Sequence, residues 1–175
     1  MLIIAKFLAK IISVLNSEIS PKQIAAGFAF GAIVGLIPVK GLLFLVLTLV
    51  SLILNINLVS MAFAAVLFKI ISFALDPLAN ALGFKVLTGF PGLKSFWTEL
   101  YNMPVIPYTR FNNTIVMGSL LIGILLFIPL YGLAKVGVVR YRTSVRDKFM
   151  KLKIVQILKT SALWRYYESF QNARD

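Results

Sequence analysis

Residues 19–37 read ISPKQIAAGFAFGAIVGLI and contain the clearest helix start in the chain. Ser20 occupies the N-cap position, Pro21 the first helical position and Gln23 the third, and together they form a capping box. The apolar residues that follow continue to Pro38-Val39-Lys40-Gly41, where proline and glycine interrupt the helix. The stretch therefore predicts an apolar helix that begins at Pro21 and ends before Pro38.

A second apolar run, residues 42–54, follows this break and ends at Asn55-Ile56-Asn57. The two predicted helices contain 17 and 13 residues, whereas a full membrane crossing needs about 20. We therefore predict a short helical hairpin over residues 20–54 that begins and ends on the same side of a membrane. Both a re-entrant hairpin and two full crossings are consistent with the pattern. Lys40 at the tip must reach water, a headgroup or an acid.

Two longer apolar segments complete the predicted bundle. Residues 58–82 form one span, with Lys69 inside it, and residues 114–134 form the other. Between them, residues 85–113 are rich in glycine, proline and aromatic residues, Trp97 among them. This composition predicts a connection outside the membrane, with an interfacial aromatic belt and a short surface helix near residues 93–102.

The N-terminal 17 residues carry one polar stripe on an otherwise apolar segment. Lys6, Lys10, Ser13 and Ser17 are spaced four, three and four residues apart, so they share one face of a helix. The stripe predicts an amphipathic helix over residues 1–17. It either lies at the membrane interface with its lysines toward headgroups or packs in the bundle with one wet edge.

Composition favours a membrane protein. The hydrophobic fraction is 59% and the mean hydropathy is +0.91, whereas soluble domains are about 45–50% apolar. A chain of 175 residues has too small an interior to bury this surface. The predicted fold is an all-α, polytopic membrane bundle over residues 1–134, followed by a basic tail over residues 135–175.

The positive charge is concentrated in that tail and indicates an orientation. The net charge is +12, and residues 135–175 hold ten Lys/Arg against three Asp/Glu. Basic residues that directly follow an apolar span are typical of a cytoplasmic flank, which explains the excess better than nucleic-acid binding does. We therefore expect both termini in the cytoplasm and residues 85–113 outside.

The missing residue types exclude several classes of chemistry. The chain has no Cys and no His, and its six acidic residues are scattered. Thiolate chemistry, the usual general base and the commonest metal ligand are therefore absent. We predict no catalytic residue, no metal site and no cofactor, and hence a protein that is not an enzyme.

Gly27, Gly31 and Gly35 repeat every four residues and form one smooth stripe on the first predicted helix. Such a stripe lets another backbone approach closely. It either packs against the other arm of the hairpin, the simpler interpretation, or receives a partner subunit or a lipid chain.

Two ionisable residues lie in or beside the 58–82 span. Lys69 is a functional candidate because charges within a membrane are costly, although its ammonium could instead snorkel or bond a carbonyl. Asp76 precedes Pro77, which favours an N-cap of a new short helix. The alternatives for Asp76 are an ion pair with Lys40 or Lys69, brought close by folding, and a proton or ion relay.

Residues 25–41 also carry the pattern A-x-G-x-A-x-G-x-x-x-G-x-x-P-x-x-G. The pattern resembles that of a family of small bacterial inner-membrane proteins known as a domain of unknown function. Asp76-Pro77-Leu78 is similar to a later Asn-Pro-Leu of many members, with Asp in place of Asn. One branch of the family looks like the small partner of a large periplasmic AsmA-like protein, a long β-groove that bridges lipids toward the outer membrane. The resemblance implies a companion subunit and a multi-pass location in the bacterial inner membrane.

Three functional hypotheses follow. The first is a non-enzymatic inner-membrane subunit that anchors such a periplasmic bridge and helps phospholipid enter it. The second is a small ion or solute transporter or channel using Lys40, Lys69 and Asp76, and the third, least supported, is a membrane enzyme. The candidate residues for lipid or partner contact are Gly27, Gly31, Gly35, Pro38, Lys40, Gly41, Lys69, Asp76 and Trp97.

Overall fold

The computed structural model describes residues 10–11, 13–39 and 41–145, and every regular element within these ranges is helical. Residues 10–16 are helical where described, and the named helices are α1 (Pro21–Leu36), α2 (Leu42–Ile53), α3 (Leu58–Thr88), α4 (Lys94–Asn102) and α5 (Thr114–Arg140). The all-α class is thus confirmed, and the predicted helix starts at residues 21, 42, 58 and 114 agree with the structure. Lys6, Lys40 and residues 146–175 of the basic tail lie outside the described residues.

Three helices, α1, α3 and α5, pack on one another and form the core. One apolar cluster joins all three, with members from each helix: Ala32, Leu36, Ala64, Phe68, Ala79 and Ile122. Helix α2 lies at the edge of this core, and Ser51 is its one buried residue. The arms of the predicted hairpin are therefore formed as helices but do not pack tightly along each other.

Helices α3 and α5 expose most of their apolar surface. Each has the length and composition needed to cross a membrane, with a mean hydropathy of 2.3 in its most apolar window, yet only 28% and 33% of these windows is buried. A core helix of a soluble protein would be mostly covered. Exposed side chains such as Ile70, Phe73, Leu125 and Ile128 form a large apolar surface, which favours association with a membrane or an apolar partner.

Helix α3 runs without a break through Pro77 to Thr88. The expectation that Asp76 caps a new helix is therefore wrong, and the span extends beyond its predicted end at residue 82. Proline cannot donate to the carbonyl four residues earlier, but Ala79 just beyond it is buried in the core. Packing on the following turn thus holds the helix together across the proline.

The segments that connect or flank the core helices lie at the two ends of the bundle. At one end Asn57 N–H donates to the Gln23 carbonyl at 3.0 Å, which brings the start and finish of the hairpin together. The end of α5 reaches the same region, because Val138 packs with Val14 and Ile24. The 89–113 connection lies beyond the opposite ends of α3 and α5.

The N-terminal helical residues are packed rather than lying free on a surface. Ser13, Val14 and Ser17 are buried, while Lys10 is exposed. The structure thus favours the interpretation of a bundle helix with one wet edge over that of a surface helix, for the residues described.

Candidate functional site

The glycine stripe of α1 packs against α3. A Cβ on Gly31 would collide with the Met61 carbonyl oxygen and lie 2.9 Å from the Ala64 Cβ. A Cβ on Gly35 would lie 2.5 Å from the Ala65 carbonyl oxygen, and one on Gly27 would collide with the backbone of Asn57. The prediction of close backbone approach is therefore confirmed, but the expected partner, the other arm of the hairpin, is wrong. The stripe is covered by the chain's own third helix.

A second contact between small residues joins α3 to α5. A Cβ on Gly83 would collide with the Thr114 carbonyl oxygen, and one on Gly118 with that of Ala79. Sequence reasoning missed this contact. The signal was present, because Ala79 and Gly83, and likewise Thr114 and Gly118, are small residues spaced by four.

Lys69 closes the C-terminal end of α1. Its Nζ donates to the Ile37 carbonyl at 2.9 Å, and Ile37 is the C-cap residue directly after α1. The last carbonyls of a helix lack partners within that helix and carry partial negative charge, so a cation there is favourable. The interpretation of Lys69 as a carbonyl-bonded lysine is confirmed.

Asp76 lies seven residues after Lys69 on α3, which places the two residues on nearly the same face of the helix. Within the described residues, however, no ion pair includes Asp76. An ion pair with Lys40 involves a residue outside the described ranges and stays a prediction. The described part of the chain therefore does not assemble a continuous relay of ionisable groups.

The hairpin tip meets the connection between α4 and α5. A Cβ on Gly41 would lie 3.5 Å from the Thr109 carbonyl oxygen and 3.8 Å from the Arg110 side chain. Pro38 is half-buried beside it. Pro38 and Gly41 thus lie where the chain turns between α1 and α2, next to this connection. Lys40 lies outside the described residues.

Trp97 lies on α4 in the aromatic part of the connection. Its ring centroid is 4.9 Å from that of Phe96 and 6.1 Å from that of Phe111. Its indole N–H is buried and finds no hydrogen-bond partner among the described residues. The short surface helix is confirmed, and Trp97 packs it onto the start of the segment leading to α5.

An apolar cavity of about 480 Å³ lies at the end of the bundle where the N-terminal residues meet the end of α5. Sequence reasoning did not find it, because its wall comes from four separate segments. The described wall residues are Ile11, Val14, Leu15, Ile24, Phe28, Val59, Ser60, Phe63, Leu130, Leu133, Ala134, Gly137, Val138 and Tyr141.

The polar groups of this cavity wall are engaged within the protein. The Ser60 hydroxyl donates to the Ile24 carbonyl at 2.8 Å, and the Tyr141 hydroxyl lies 3.5 Å from the Asn16 side-chain oxygen. Next to Tyr141, the Arg142 Nε donates to the Leu15 carbonyl at 3.0 Å. These bonds hold the N-terminal segment against the end of α5 and leave an apolar interior.

Comparison with known proteins identifies the family of the chain. The profile of a family described as "Uncharacterized protein conserved in bacteria (DUF2062)" matches residues 5–146. An uncharacterized protein of Treponema pallidum (strain Nichols) is 28% identical over 149 residues, which cover 85% of this chain and 91% of that protein. No solved structure gives a significant match. Because the profile spans all five named helices, and with them the glycine contacts and the cavity, the chain belongs to this family of conserved bacterial proteins.

Proposed function

We propose that the protein is a non-enzymatic, multi-pass inner-membrane subunit that anchors a periplasmic AsmA-like bridge protein and helps phospholipid enter it. The observation that carries the proposal is the apolar cavity of about 480 Å³ between the core helices. Ligand pockets typically measure about 300–1,000 Å³. A lipid-handling subunit needs an apolar space of this kind beside surfaces that contact the bilayer.

Membrane placement is supported by the apolar outer faces of α3 and α5. A surface of this size exposed to water would promote aggregation, whereas hydrocarbon covers it at no cost. The proposed orientation has both termini in the cytoplasm. It is supported by the hydrogen bond between Arg142 and Leu15, which holds the first and last described segments together, and by the excess of basic residues after α5.

The short hairpin supports a role in moving lipid out of the bilayer plane. Helix α1 has 16 residues and α2 has 12, which correspond to about 24 and 18 Å at 1.5 Å per residue. The hydrocarbon core is about 30 Å thick. Lipid beside the exposed face of α2 must thin or tilt to match so short a helix, which lowers the barrier to leaving the leaflet.

The channel or transporter alternative has less support. Its three proposed residues are Lys40, Lys69 and Asp76, and the Lys69 ammonium is already bonded to the Ile37 carbonyl. The described wall of the cavity offers two polar side chains, Ser60 and Tyr141. An ion crossing such a space would lose its hydration without replacement.

Purification from a native diderm host in mild detergent tests the proposal. The protein should carry an affinity tag and be compared with an unrelated, equally tagged inner-membrane protein. We expect a large periplasmic protein of extended β-structure and bound phospholipid to co-purify with the first protein alone. Recovery without that partner, even after cross-linking in cells, would overturn the bridge assignment. Ion conductance in proteoliposomes would favour the alternative.

A further inference from the structure

The cavity described above is formed where four segments converge. One wall is formed by Ile11, Val14 and Leu15, two more by the first turns of α1 and α3, and the fourth by the last turns of α5. Of the fourteen described wall residues, twelve are apolar and the other two are Ser60 and Tyr141. The Ser60 hydroxyl is bonded to a carbonyl inside the wall. A ligand with polar atoms would lose water here without compensation, so the interior suits a hydrocarbon chain.

The charges beside the cavity are of one sign. Within the described ranges, two basic residues flank the wall: Lys10 precedes Ile11 and shares a helix face with Val14, and Arg142 follows Tyr141. Lys135 and Arg140 line a separate pocket on another face of α5. Arg142 is tied directly to the wall through the Leu15 carbonyl. The acidic residue of this end, Glu18, is exposed and does not line the cavity. A positive rim around an apolar interior complements a molecule with a long apolar chain and an anionic head.

We infer that this cavity binds one acyl chain of an anionic phospholipid, with the headgroup beside the basic residues Lys10 and Arg142. The inference rests on the proposed membrane placement and on lipid handling, but it does not depend on the identity of the periplasmic partner. It assigns the lipid class and the end of the bundle at which the lipid enters. In the proposed orientation that end faces the cytoplasmic leaflet.

Gly137 provides a direct way to fill the cavity. It lines the wall, and a Cβ added to it would meet no atom within 4 Å. The Gly137→Leu variant should therefore project its side chain into the cavity without a clash, and leucine favours the helix over glycine. Gly132 gives a matched control: it lies on the same helix, has equally open space and does not line this cavity.

The first experiment measures bound phospholipid by mass spectrometry on detergent-purified wild type, Gly137→Leu and Gly132→Leu. We expect wild type and Gly132→Leu to retain equal amounts and Gly137→Leu to retain about tenfold less or lower, because each displaced methylene weakens binding about fourfold. Equal lipid in all three proteins would overturn the inference. Absence of lipid from wild type would also overturn the inference. The occupant of the cavity would then be another part of the chain or a second copy of it.

The second experiment tests the headgroup. Each protein is equilibrated with vesicles containing equal phosphatidylglycerol and phosphatidylcholine of identical chains, and the retained lipids are quantified. Wild type should retain phosphatidylglycerol at least about fivefold over phosphatidylcholine, and Lys10→Gln should reduce this ratio, because one basic residue near the surface contributes about that factor. Equal retention of both lipids by wild type would overturn the anionic assignment.

The result separates this inference from the bridge proposal. If phosphatidylglycerol is retained in a manner that depends on residue 137 but no periplasmic protein co-purifies, the lipid site stands and the bridge assignment fails. If the periplasmic protein co-purifies and lipid retention is the same in Gly137→Leu, the bridge assignment stands and the lipid site fails.

Discussion

Replacing Gly31 by alanine should force α1 and α3 apart. The new Cβ would collide with the Met61 carbonyl oxygen and lie 2.9 Å from the Ala64 Cβ. Both belong to the body of α3, which cannot rotate away as the end of a flexible side chain can. Overpacking of this kind costs about 1–3 kcal/mol, against which alanine gains about 1 kcal/mol of helix propensity over glycine.

A matched variant allows the contribution of helix propensity to be subtracted from the measured change in stability. Gly132→Ala gains the same propensity, but its Cβ would meet nothing within 4 Å. The difference in unfolding free energy between Gly31→Ala and Gly132→Ala should therefore be about 1–3 kcal/mol, or about 3–9 °C in Tm for a chain of this size. Thermal unfolding in mild detergent, followed by circular dichroism, measures it. Equal Tm values for the two variants would refute the close approach of the two backbones.

Three further predictions concern topology, the hairpin tip and Lys69. A single cysteine at exposed position 96 of this cysteine-free chain should react with an impermeant thiol reagent from outside, and labelling from the cytoplasm alone would reverse the proposed orientation. If the hairpin is re-entrant, Val39→Cys should resist a bulky impermeant reagent from both sides, whereas ready labelling from outside would indicate two full crossings. Lys69→Met should lower stability by about 1–3 kcal/mol because the Ile37 carbonyl loses its donor. Lys69→Arg, which keeps a donor, should recover most of this loss in the same thermal assay, and an unchanged Tm for Lys69→Met would count against the capping role.

The local helix signals were largely sufficient to predict the elements. The N-cap at Ser20 and the break at Pro38 placed α1 within a residue of its observed limits. One detail differs, because the Gln23 side chain donates to Asn55 at 2.6 Å instead of closing the capping box. The local pattern predicts that the Gln23 side chain caps its own helix, whereas in the structure it joins the two ends of the hairpin.

The sequence did not reveal which helix the glycine stripe faces. The neighbouring arm was the simpler choice because it is nearest in the chain, but α2 is lined with large residues such as Leu45 and Leu49. Helix α3 instead presents Ser60 and Ala64, small residues at the same spacing of four. Long-range pairing of this kind depends on matching surfaces, which one helix pattern alone does not specify.

Local sequence patterns also failed to predict two features, which are the continuity of helix α3 through Pro77 and the apolar cavity. The Asp76-Pro77 pair has the form of a helix start, and it is the packing of Ala79 and Gly83 on α5 that keeps the helix whole. The cavity has no sequence signature, since its wall combines residues as distant as Ile11 and Tyr141.

The pairing of the glycine stripe with α3 has a consequence for biosynthesis. A nascent chain that ends at residue 57 has completed α1 and α2, yet Gly31 still lacks Ala64, and the Ile37 carbonyl still lacks Lys69. The hairpin therefore cannot reach its final packing when it leaves the ribosome, and its glycine stripe stays uncovered until α3 follows. The N-terminal segment reaches its final packing later still, because its hydrogen bond to Arg142 forms only after α5 has been synthesised.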